Sequence, residues 1–198
     1  MKLVQKHPSL VTSIAHVSPP AIAILCALGA TLMSAGDARA ETTPVIAIDI
    51  THDALDTTDT PGTFAGNPAG TGFDFGLGLR SGDLWLYTAE LSGGFHDFGG
   101  ALDPKASRFM LGSRFGIDWT LRPSIFAHLG IGHVSIDSSQ TGAPDIGTDW
   151  AGDLGLALDV DVVPGVEVGI AGSLNWIGFS DSFEWFQAGA HVTFVLGG

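Results

Sequence analysis

From Val45 onward hydrophobic residues recur at every second position, the period of a β-strand whose two faces meet different surroundings. The pattern predicts eight strands, over 45–52, 72–80, 84–95, 107–119, 124–136, 149–161, 166–176 and 184–196. The parity is cleanest in four of them. In the second, Phe73, Phe75, Leu77 and Leu79 alternate with Asp74, Gly76, Gly78 and Arg80. In the sixth, Trp150, Leu154, Leu156, Leu158 and Val160 alternate with Asp153, Gly155, Asp159 and Asp161. The seventh sets Val166, Val168, Ile170, Leu174 and Trp176 against Glu167, Gly169, Ser173 and Asn175. The eighth sets Phe186, Ala188, Ala190, Val192 and Phe194 against Gln187, Gly189, His191 and Thr193. One face is apolar and the other is polar or glycine.

A soluble barrel also alternates, so the spacing of the strands has to say which face is inside. The connections 81–83, 120–123 and 162–165 are tight, whereas 53–71, 96–106 and 137–148 are long and polar. Short turns on one side and long loops on the other are the arrangement of a bacterial outer-membrane barrel, with both termini on the short-turn, periplasmic side. All five tryptophans fall at strand ends. Trp85 and Trp119 lie by the short turns, and Trp150, Trp176 and Trp185 by the long loops, as two aromatic belts would require. The polar face is rich in glycine (Gly76, Gly78, Gly130, Gly132 and Gly155 among others), which suits the crowded interior of about eight strands. The prediction is an all-β, eight-stranded, antiparallel, up-and-down transmembrane barrel. By the same parity Leu156 faces lipid and Gly155 the lumen, where a small polar substitute should be the milder change.

Composition strengthens this picture. Charged residues are 15% of the 198-residue chain, against about 25% in soluble domains, yet no apolar stretch after Ala40 reaches the roughly 20 residues of a membrane helix. Before it, Lys2, Lys6 and His7 precede an apolar run from Ala21 to Met33 and the small-x-small triplet Ala38-Arg39-Ala40. That is the form of a secretory signal peptide over residues 1–40, with the barrel domain over 41–198. The only cysteine, Cys26, lies in the leader behind Leu25, where lipid anchoring would need a small residue, so thiol and disulfide chemistry are excluded from the barrel. Cleavage would remove three of eight Lys+Arg and one of 21 Asp+Glu, leaving 5 − 20 = −15. Nucleic acid is excluded as a partner by that sign.

The last strand carries the most specific motif. Gln187, Gly189, Val192 and Phe194 follow the polar-x-Gly-x-x-hydrophobic-x-aromatic order of an assembly signal. With it, the chain resembles the small outer-membrane barrels of the OmpA-like, OmpX-like and OmpW-like kind. The resemblance implies recognition by the barrel-assembly machinery, residence in the outer membrane among lipid and lipopolysaccharide, and no particular activity.

Several constellations were candidates for chemistry. Parity points Asp49, Asp74, Glu90, Asp118, Asp153, Asp159, Asp161 and Glu167 inward, with Arg80 and Arg114 as their cations. Glu90 and Arg114 should face each other if the third hairpin is centred at residue 102, and barrel closure should set His191 near Asp49. Such pairs would fill the lumen, and losing one partner of a buried pair is costly. Asp53, Asp56 and Asp59 lack the glycine and terminal glutamate of a calcium loop and read as a solvated acidic loop. His52, His96 and His133 lie on strands that are not neighbours and read as scattered interface residues rather than a metal site. His133 and Ser135 resemble the catalytic pair of outer-membrane lipid A deacylases, but Ile136-Asp137-Ser138 departs from that family's continuation and no orienting acid is evident. The sequence thus favours a non-enzymatic structural or surface barrel with a filled lumen, acidic extracellular loops and no cofactor or metal. The alternatives are a narrow cation-favouring pore and a lipid A-modifying hydrolase.

Overall fold

The computed structural model describes residues 42–55, 69–100, 103–136, 147–178 and 183–197. The leader, its cleavage site, Asp56 and Asp59 lie outside these residues. Eight strands form in the order expected: β1 (Thr43–Leu55), β2 (Ala69–Ser81), β3 (Trp85–Phe98), β4 (Pro104–Ile117), β5 (Arg122–Ile136), β6 (Gly147–Val163), β7 (Val166–Ile177) and β8 (Phe183–Val195). Each pairs antiparallel with its sequence neighbours, and β8 closes on β1, so the sheet is a closed barrel without edges. The strands run further toward the long-loop end than the polarity of the sequence suggests. The β3–β4 connection shrinks to residues 99–103, because His96, Phe98, Pro104 and Ala106 continue the inward parity of their strands.

The outward face is apolar over its middle. Ile50, Leu77, Leu111, Leu156 and Ile170 are each at least half exposed, a pattern that water would penalise and hydrocarbon would reward. Trp85, Trp119 and Trp150 are exposed at the strand ends, with Trp85 stacked on Phe115 at 5.5 Å between ring centroids. Trp176 is half-buried on the outer face, where its ring lies over Gly152. Trp185 departs from the expected belt. It sits on the inward parity of β8 and is 1% exposed, so it fills the lumen instead of meeting headgroups. The adjacent Phe186 occupies the outward position.

Inside the long-loop end, Trp185 joins Leu55, Phe98, Met110, Ile177 and Phe183 in a buried apolar cluster. Phe98, Phe183 and Trp185 meet one another ring to ring at 5.3 to 5.8 Å. The barrel is therefore stoppered at that end by its own side chains.

The glycines of the inner face are spaces for their neighbours. A Cβ on Gly94 would lie 1.9 Å from Asp74 Oδ1, and one on Gly169 would lie 2.4 Å from Asp159 Oδ1. Gly155 is equally confined. Its Cβ would come within 2.3 Å of the Phe126 ring and 2.6 Å of the Gly172 carbonyl, so even a small polar side chain there would have to displace its neighbours.

Candidate functional site

Below the apolar stopper the lumen is filled with ionisable side chains, and the strand positions explain which ones meet. Inward residues recur at even separations, so Asp53 follows Asp49 on β1, His96 follows Glu90 on β3 and Arg108 precedes Arg114 on β4. The sequence predicts Asp53 in a solvated loop and His96 at the interface. Both are instead buried, Asp53 wholly, and His96 Nδ1 lies 2.9 Å from Asp53 Oδ2. Arg108 and His128, absent from the expected ion network, are among its central members. Their parity, shared with Arg114 and with Gly130 respectively, was the available signal.

These groups connect into one alternating series of acids and bases. His96 lies between Asp53 and Asp74. Arg108 binds Asp74 at 2.9 Å and approaches Asp153 at 3.6 Å. His128 lies between Asp153 at 2.8 Å and Glu90 at 2.9 Å. Arg114 follows, with Nε 3.1 Å from Glu90 Oε1 and Nη1 3.8 Å from Asp159 Oδ2. His191 ends the series between Asp159 and Asp49. Gln187 and Asn175 complete the donors and acceptors around Arg108, and Gln187 Nε2 donates to Asp74 at 2.6 Å. Arg108 also lies 5.5 Å from the Trp185 ring centroid, joining the charged series to the apolar stopper through a cation–π contact.

Two pairings anticipated from the sequence are present in altered form. Glu90 stands opposite Gly112 rather than Arg114 in the β3–β4 register, because the hairpin is centred one residue earlier than expected. The long guanidinium side chain covers the diagonal. Asp49 does stand opposite His191, but the two are 3.7 Å apart and His191 Nε2 turns to Asp159 on β6.

Asp118 and Asp161 do not belong to the lumen interior. Asp118 lies past the end of β4, and the two side chains are 42% and 56% exposed. They form a cluster at the short-turn mouth around Arg122, whose guanidinium also binds Glu167 at 2.7 Å. Arg80 reaches Glu167 from across the barrel with both terminal nitrogens. Arg122 falls within the tight connection 120–123 that the sequence predicts. With it and Arg108 counted, the excess of inward carboxylates that suggested cation preference is smaller than the sequence implies.

What space remains is small. Ala47, Gly76, Gly78 and Gly189 leave a cavity of about 60 Å³ opposite Arg114 and His128, room for a few water molecules. A second cavity of about 20 Å³ lies toward the short turns, and Arg114 lines both.

On the outer face His133 and Ser135 do share one side of β5, as parity requires. His133 Nδ1 lies 3.0 Å from Thr148 Oγ1, where a catalytic base would need an orienting carboxylate. Among the described residues no group of three or more His, Cys, Asp and Glu side chains is arranged to hold a metal ion.

No protein-family model matches the chain, and no curated protein does. Solved structures match over most of its length. Neisserial surface protein A is similar with a TM-score of 0.61 and 16% identity, covering 78% of this chain and 98% of that one. Ail, the attachment invasion locus protein of Yersinia pestis, in complex with the heparin analogue sucrose octasulfate, gives 0.49 and 16%, over 78% and 99%. The N-terminal barrel domain of Pseudomonas aeruginosa OprF gives 0.48 and 15%, over 79% and 100%. The chain thus has the fold of the small eight-stranded outer-membrane β-barrels.

Proposed function

We propose that the protein is an integral outer-membrane barrel with a structural or surface role and a lumen that is closed at rest. The observation that carries this reading is the double closure of the interior: an apolar stopper at the long-loop end and, beneath it, a network of ion pairs that leaves only small cavities. The apolar outer band and the exposed tryptophans at strand ends support insertion in a bilayer. A leader ending at Ala40 would deliver the chain for export, and the Gln187-to-Phe194 segment would present it to the assembly machinery. The segments 56–68 and 137–146, which contain Asp56, Asp59, Asp137 and Asp145, would face the medium as acidic loops beside lipopolysaccharide.

A catalytic role is not part of this reading, because His133 faces a threonine and not an acid. Nor is a resting cation pore, because Arg80, Arg108 and Arg114 are paired with carboxylates across the lumen. The test is conductance of the purified barrel in planar lipid bilayers at neutral pH. Electrical silence or rare small events are expected. Steady cation-selective current would replace this reading with the pore.

A further inference from the structure

Ser124 Oγ, Arg80 Nε and Arg114 Nε are buried and find no hydrogen-bond partner among the described residues. Arg114 Nε lies 3.1 Å from Glu90 Oε1 but without the alignment of a hydrogen bond. All three side chains line the cavity of about 20 Å³, whose wall also includes Asp159 and Glu167. Ser92 Oγ is buried without a partner in the same way, and Ser92 lines the cavity of about 60 Å³.

These groups say what kind of guest the smaller cavity takes. A guanidinium Nε–H only donates, so it needs an acceptor, whereas Asp159 and Glu167 need a donor. Water is both. An anion would meet the two carboxylates, and an apolar molecule would leave the donors unmatched at the cost of a buried polar group. A volume of 20 Å³ suits one water with several polar partners, and 60 Å³ suits a few.

The cavities are also ordered along the barrel. Arg122 and Glu167 line the smaller one and belong to the short-turn mouth, where Asp118 and Asp161 are about half exposed. Arg114 lines both cavities and is the partition between them. Beyond the larger cavity Arg108 has all three guanidinium nitrogens bonded, to Asp74, Asn175 and Gln187. Past Arg108 comes the stopper, and Phe98, Val134, Ile177 and Trp185 line neither cavity.

We propose that the lumen is a blind vestibule wetted from the short-turn side, with a water site formed by Arg80, Arg114 and Ser124 as its neck and the central cavity as its end. This rests on the closed-lumen reading above, to which it adds a direction. The inner carboxylates would exchange water and small cations with the compartment beneath the short turns, and none with the medium that the long loops face.

The experiment uses silver ions in chloride-free buffer, a small thiol-seeking cation, on the purified barrel in detergent micelles. The only native cysteine, Cys26, is replaced by serine, and one cysteine is placed at Ser92 in the central cavity or at Val134 in the stopper. Thiols that silver has not captured are counted by mass spectrometry after alkylation in urea. Ser92→Cys should be captured and Val134→Cys should stay free. Adding Ser124→Leu, which fills the neck, should leave the Ser92→Cys thiol free as well; Thr88→Leu lines the same cavity and replaces it if that variant does not fold. A free thiol at Ser92→Cys with the neck unaltered overturns the vestibule and leaves the closed lumen standing. Capture at Ser92→Cys despite the filled neck places the entrance elsewhere and overturns the proposal. Capture at Val134→Cys means that the stopper admits ions, and the closed-lumen reading falls together with the vestibule.

Discussion

At the long-loop end of the lumen Phe98, Ile177 and Trp185 are packed out of solvent, whereas at the short-turn end Asp118 and Asp161 keep about half of their side chains in it. The same barrel wall surrounds both regions, yet the energetics differ. Near the stopper a charge has no access to water, and its partners decide whether it can be there at all. Arg108 accordingly meets Asp74, Asp153, Asn175 and Gln187. At the mouth Arg122 binds three carboxylates against the two of Arg108, but two of the three are hydrated, and an ion pair in water contributes little. The number of contacts around a guanidinium is therefore a poor guide to its importance here, and its depth is a better one.

Five substitutions probe that contrast, each read as a change in urea unfolding of the refolded barrel. Arg108→Ala should be the most damaging, at about 3 to 5 kcal/mol, because it removes the guanidinium shared by Asp74 and Asp153 where no water can replace it. A loss comparable to that of the mouth variant would show the upper lumen to be wet. Trp185→Ala empties the stopper and should cost about 3 kcal/mol, the cost of a large cavity in an aromatic cluster. It should also admit small solutes from the loop side, and unchanged stability would place Trp185 in the outer belt after all. At intermediate depth Glu90→Gln, Arg114→Ala and the double mutant should show a coupling on the order of 1 to 2 kcal/mol. Additive losses would mean that each is separately hydrated by the central cavity. Arg122→Ala should be nearly silent, at about 0 to 1 kcal/mol, since Glu167 keeps Arg80 as a partner. A loss as large as that of Arg108→Ala would remove the distinction between the two ends.

The period-two pattern made the faces of every strand legible, including those of residues it was not applied to. Extending the parity of Arg114 by six residues would have placed Arg108 inside, and extending that of Phe183 or Gln187 would have done the same for Trp185. For Trp185 the nature of the residue outweighs its position in the sequence pattern, and Arg108 stands outside the ion network the sequence predicts. A tryptophan near a strand end looks interfacial. Polarity likewise shortened β3 and β4, since His96 and Lys105 resemble loop residues although the ladder pairs them with Ala106 and Asp97.

What the sequence determined by itself is what a single strand can encode: the number of strands, which face of each is apolar, and that the chain closes into a barrel with short turns at one end. Those follow from the alternation of side chains along an extended backbone, a local property. Which inward side chains meet was decided only by the tertiary structure. Arg80 and Glu167 are 87 residues apart, and Gln187 and Asp74 are 113 apart. Their contacts depend on the stagger between strands and on the tilt that closure imposes. A shift of two residues in register, which leaves the alternation unaltered, is enough to exchange one partner for another, as at Glu90 and Gly112.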